Sequence, residues 1–120
     1  MIAVIDYGVG NLFSLSASLK YIGAESAVTS DRAVIENSSA IILPGVGAFA
    51  DAYKKLEESG LIPVLLKQVG RGKPVLGICL GMQLLFEKSY EYGEHAGLGF
   101  IPGEVCPIAP DLKERLKVPH

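Results

Sequence analysis

Val75-Leu76-Gly77-Ile78-Cys79-Leu80-Gly81-Met82-Gln83-Leu84-Leu85-Phe86 decides how the rest of the chain is read. Val75, Leu76 and Ile78 form a short apolar run after Arg71-Gly72-Lys73-Pro74, the pattern of a buried central strand in a parallel sheet. Gly77 and Gly81 stand two residues to either side of Cys79. A strand that turns sharply into a helix crowds its own backbone, and only residues without a side chain leave room there. Gly-x-Cys-x-Gly is therefore a nucleophile elbow with Cys at the apex. Met82, Leu85 and Phe86 predict a following helix packed on the sheet.

A thiol at such an apex points outward. At the start of a helix, free N–H groups and the dipole favour its thiolate form. The Leu80 N–H is then aimed where an oxyanion would develop. Gln83 follows Cys79 by four residues, so both reach the same pocket. A small buried hydrophobe at a strand end is the competing reading, since unpaired cysteines are among the most buried residues. The two readings differ in whether the sulfur is exposed.

Upstream, the pattern is strand then helix, repeated. Met1–Ile5 is a buried strand, Tyr7-Gly8-Val9-Gly10 a turn, and Asn11 a helix N-cap. Leu12, Leu15, Leu19 and Ile22 recur at helical spacing before Gly23. Gly8-Val9-Gly10 begins like a dinucleotide-binding fingerprint, but the third glycine would fall at Phe13, so no dinucleotide is expected. Ala24–Thr29 is a second strand, Arg32–Asn37 a short helix and Ala40–Leu43 a third strand. Pro44-Gly45-Val46-Gly47 can turn backbone N–H groups toward a ligand, and it can equally be an ordinary glycine loop. Helices are expected over 48–59 and 61–69, with Pro63 in a first turn. Beyond the elbow, residues 97–103 read as a glycine-rich loop and Glu104-Val105-Cys106-Pro107 as the start of another strand.

Composition bounds the function. The 120 residues are 49% hydrophobic and 20% charged, an ordinary globular balance sufficient for one domain and one core. A formal net charge of −2 gives no nucleic-acid surface. No apolar run approaches a membrane span, and Met1-Ile2-Ala3-Val4 enters a strand without a basic leader, so a cytoplasmic protein is expected. Cys79 and Cys106 are then expected to be free thiols. No cofactor or metal is expected.

Gly77 to Glu87 closely resembles the nucleophile segment of class I, triad-type glutamine amidotransferases. Ile5 to Leu12 and Leu43 to Phe49 resemble one branch of that class, glutaminase subunits that serve histidine biosynthesis. The resemblance runs along the whole chain. It implies an open, mostly parallel α/β sheet flanked by helices, flavodoxin-like, in a single domain over 1–120. It also implies that Cys79 attacks the side-chain amide of glutamine. Val46 or Gly47 supplies an oxyanion N–H beside that of Leu80, the peptide turning to do so. Gln83, Glu91 and Gly45 hold the substrate. The ammonia passes to a cyclase subunit, a heterodimer partner that the 7–11 loop and first helix face. Cysteine-elbow chaperones and proteases of the DJ-1/PfpI kind are an enzymatic alternative, but they place His after the Cys, where Leu80 stands. A flavodoxin-like binding module with Cys79 buried is the non-catalytic one.

The thiol needs a base, and a carboxylate to orient it. His95, beside Glu94 in a polar stretch, is expected at the surface, and His120 does not match the family's catalytic histidine. By resemblance the base and a glutamate two residues after it lie beyond position 120. The expectation is thus an N-terminal portion of a glutaminase, inactive alone and prone to associate through an uncovered sheet edge.

Overall fold

Short apolar strands alternate with amphipathic helices from the first residue. The computed structural model describes residues 1–114, 117 and 118. In chain order the elements are β1 (Ile2–Ile5), α1 (Leu12–Tyr21), β2 (Ser26–Thr29), α2 (Arg32–Asn37), β3 (Ala40–Leu43), α3 (Phe49–Glu58), α4 (Ile62–Gly70), β4 (Val75–Gly77), α5 (Leu80–Leu84), β5 (Phe86–Ser89), β6 (His95–Ala96) and β7 (Ile101–Val105). The first four strands form a parallel sheet in the order β2-β1-β3-β4.

The period-2 alternation of side chains sorts the core into two layers. Ala3, Ile5, Ile41 and Leu43 face one way and pack on Ile35, Phe49, Leu56, Val64, Leu65 and Leu84 from α2, α3, α4 and α5. Val4 and Ile42 face the other way and meet Leu19, with Leu12 and Leu15 beside them, all from α1. Asn11 caps α1 as expected, its Oδ1 accepting from the Ser14 N–H at 3.1 Å. Asp31 caps α2 in the same way through the Ala33 N–H at 2.8 Å. Lys73 closes the other end of α2, its Nζ donating to the carbonyls of Ile35 and Glu36, each at 2.9 Å.

Four local expectations are corrected. β4 is the outermost strand of its sheet among the described residues, pairing with β3 only. Leu76 is paired with Ile42 and so shares the α1 face, but α1 does not reach that far, and Leu76 is 57% exposed. Ile22 lies past the end of α1 and is exposed, because Gly23 at φ 77° turns the chain away.

The helix after the elbow stops at Leu84, and Phe86 opens a strand instead. Its continuing carbonyls are taken from outside the helix. Leu98, Ile101 and Gly99 donate to the carbonyls of Leu84, Leu85 and Phe86 at 2.8, 3.0 and 3.0 Å. Tertiary pairing thus overrides a helical pattern that sequence alone favours. The glycine-rich run is correspondingly not all loop. Ile101, Pro102 and Gly103 already belong to β7, which runs parallel to β5, while β6 pairs antiparallel on its other side. Gly97 permits this approach, because a Cβ there would collide with the Phe86 carbonyl oxygen. Among the described residues no helix is long and apolar enough to cross a membrane.

Candidate active site

Cys79 sits between β4 and α5 with φ 56° and ψ −121°, a conformation that costs an L-residue about 1–3 kcal/mol. The flanking glycines make that turn possible. A Cβ on Gly77 would lie 2.5 Å from Met82 Cα and 2.8 Å from Leu85 Cδ1. A Cβ on Gly81 would run into the backbone of Leu43 and Pro44. The sulfur is consequently held out of the core, and Cys79 is exposed. The buried-hydrophobe reading of this cysteine is overturned. Cys106 is likewise free and exposed.

The five residues of α5 make a weaker dipole than a helix continuing through Phe86 would, and its first amides are already engaged. The Gly81 N–H donates to the Ile78 carbonyl, and those of Met82 and Gln83 to the Cys79 carbonyl. The Leu80 N–H donates to the carbonyl of Gly45 at 3.2 Å. In this conformation Leu80 therefore offers nothing to an oxyanion until that carbonyl moves.

The 44–47 loop is built against the elbow. Tyr7, 6% exposed, donates its hydroxyl to the Pro44 carbonyl at 2.5 Å. Burial pushes the Tyr7 phenol up to about 12, so at neutral pH it carries its proton and can donate. Gly10, at φ 112°, brings the 7–10 turn close against the ring of Pro44. Val46 is 54% exposed, and Gly47, at φ 90°, has open space around it. An open cleft of about 390 Å³ runs between residues 8–10 and 46–55; it borders Val46 and Gly47 and does not include Cys79.

Of the three residues expected to hold the substrate, Gln83 is partly buried, and its Oε1 is buried without a hydrogen-bond partner among the described residues. A buried, unpaired amide oxygen is costly, and a ligand donor would satisfy it. Glu91 lies in the turn after β5, where its own N–H donates to Ser89 Oγ at 3.2 Å. Its Oε1 accepts from the Phe49 N–H at 3.0 Å, capping α3 next to the 44–47 loop, where Ala48 has no side chain to do so. Gly45 is wedged between Tyr7 and Gly81. The structure thus gathers Cys79, Leu80 and Gly45 into one contact set and links Glu91 to the first turn of α3.

His95 is in β6 rather than a loop, partly buried, with its Nε2 3.2 Å from the Tyr92 carbonyl oxygen. His120 lies outside the described residues. Tyr7 was read from sequence only as part of a turn. A single buried tyrosine beside two glycines carries no signal of the loop it meets 37 positions later.

A strained, exposed cysteine at the C-terminal end of a parallel strand, bracketed by obligatory glycines, defines a cysteine-elbow α/β protein. The chain belongs to the glutamine amidotransferase class-I family, whose pattern matches residues 3–109. Among curated relatives it is similar to the imidazole glycerol phosphate synthase subunit HisH of Bacillus cereus, 55% identical over 120 residues covering 100% of this chain and 56% of the relative. The HisH of Lacticaseibacillus casei is 50% identical, covering 100% and 57%, and that of Aquifex aeolicus 52%, covering 98% and 55%. The chain thus spans just over half the length of these relatives. A solved crystal structure of a glutamine amidotransferase superposes with a TM-score of 0.75 at 24% identity, covering 94% of this chain and 60% of that one, a likeness of fold.

Proposed function

We propose that this chain carries the nucleophile half of a glutaminase, the ammonia-supplying subunit of imidazole glycerol phosphate synthase in histidine biosynthesis. The observation that carries the reading is the elbow: Cys79 exposed, at φ 56°, with the next N–H bonded to the Gly45 carbonyl. HisH relatives at 50–55% identity support the particular assignment.

The chemistry follows from the peptide that joins Gly45 to Val46. Its oxygen occupies the Leu80 N–H, and its nitrogen is the Val46 N–H. Turning that one peptide over removes the oxygen and brings the Val46 N–H to the same place. Two donors then face a tetrahedral oxyanion, an arrangement whose loss typically costs about 10²–10³ in rate per donor. The Cys79 thiolate adds to the amide carbon of glutamine, and the intermediate expels ammonia, which takes its proton from the general acid. Water then cleaves the thioester to release glutamate and regenerate the thiol. Gln83 and Glu91 hold the amino-acid end of the substrate, with Gly45 beside it. The base and its orienting carboxylate lie in a portion of the protein beyond position 120. The ammonia passes to a cytoplasmic cyclase subunit, which uses it to form imidazole glycerol phosphate and an aminoimidazole ribonucleotide.

Glutamine hydrolysis by this chain, with and without a cyclase subunit, tests the reading, with Cys79→Ala as control. The expected result is no turnover by the chain alone and fast alkylation of Cys79 by iodoacetamide at neutral pH. Turnover abolished by Cys79→Ala would keep the nucleophile and move the base to His95 or His120. A Cys79 inert to alkylation would sink the glutaminase reading.

A further inference from the structure

We propose that Tyr7 is a positioning residue that latches the 44–47 loop onto the elbow, so that the Gly45 carbonyl stays on the Leu80 N–H. The catalytic meaning of this latch rests on the glutaminase reading; the latch itself is a matter of geometry.

The Tyr7 hydroxyl and the Leu80 N–H grip two consecutive carbonyls, those of Pro44 at 2.5 Å and Gly45 at 3.2 Å. The Pro44–Gly45 peptide is thus held through its oxygen by Tyr7, and the Gly45–Val46 peptide through its oxygen by Leu80. The space between the tyrosine and the elbow admits bare backbone only. A Cβ on Gly45 would stand 2.9 Å from the Tyr7 oxygen and 2.7 Å from the Gly81 nitrogen. Pro44 is further confined by Gly10, whose added Cβ would lie 3.0 Å from the proline Cβ. Beyond this grip the loop is open, with Val46 half-exposed and nothing close to a Cβ on Gly47. The hydroxyl therefore places the hinge. Upstream of Gly45 the backbone is held, and the Gly45–Val46 peptide is the first that can turn. Without the hydroxyl the buried Pro44 carbonyl loses its donor, and the grip on the Leu80 N–H rests on a single long hydrogen bond.

Tyr7→Phe removes one oxygen and keeps the ring that packs in the core. Amide hydrogen exchange by NMR on the chain compares it with the parent. The Leu80 N–H is expected to exchange about tenfold faster in Tyr7→Phe. The Ile41 N–H, bonded to Pro74, and the Ala24 N–H, bonded to Leu19, are expected to keep their rates. A purely structural role for the hydroxyl would accelerate all three together and overturn the proposal, as would an unchanged Leu80 rate. The readout needs no catalysis, so its outcome is separate from that of the glutamine assay.

Discussion

At the scale of single residues, the site depends on where a Cβ can and cannot go. Gly81 faces the Leu43 carbonyl so closely that any side chain must push the strand away, whereas Gly47 has open space and only a φ of 90° to object. Gly81→Ala is expected to destabilise the chain by about 3 kcal/mol or more. Gly47→Ala is expected to cost only the backbone strain, about 1 kcal/mol. Urea unfolding of both variants measures the difference, and equal losses would mean that the elbow is not packed as described. Tyr7 adds a pH dependence. Its folded pKa, raised to about 12, lies above the ordinary value of 10.0. The unfolded chain therefore gives up the phenolic proton first. The contribution is complete below the unfolded value and is lost as pH rises through the folded one, amounting to about 2 kcal/mol. Chemical denaturation between pH 9 and 12 is expected to show a steeper loss of stability in the parent than in Tyr7→Phe.

At the scale of elements, α3 begins without a capping side chain of its own and borrows one from 42 positions away. Glu91 supplies both a hydrogen bond to the Phe49 N–H and a negative charge at the helix N-terminus. Glu91→Ala is expected to lower stability by about 1 kcal/mol, and Glu91→Gln by less, as thermal unfolding would record. If neither variant moves the midpoint, Glu91 is bound to α3 too weakly to hold the turn. The sequence located this glutamate by resemblance as a substrate contact and said nothing of the cap, because helix-capping signals are local and this one crosses from another element. The same limit explains the misread helix end. Leu85 and Phe86 keep helical spacing, but the amides of residues 98–101 claim the carbonyls a longer helix would have used.

Across the whole molecule, β4 and the elbow and helix that follow it leave apolar side chains exposed. Leu76 is 57% exposed, Ile78 37% and Met82 43%. A strand edge with unpaired N–H and C=O groups beside exposed aliphatic side chains recruits another strand. Light scattering of this chain is expected to show self-association, and Leu76→Lys is expected to reduce it by placing a charge on the edge. A monodisperse monomer in the parent would count against the edge as a contact surface.

The strand–helix alternation over residues 1–77, the cap at Asn11 and the elbow with Cys79 at its apex are all legible in the amino-acid sequence. Each of these is written in local chemistry: period-2 or helical spacing, a short polar side chain before a helix, glycines where backbone must pass close. Contacts between distant segments settled that β4 lies at an edge among the described residues, that the helix after Cys79 stops at Leu84, and that β5 pairs with residues once read as loop. They also settled that the Leu80 N–H is covered by Gly45 under the hold of Tyr7. These outcomes rest on hydrogen bonds between distant segments, and a backbone amide carries no mark in the sequence of which carbonyl it will find.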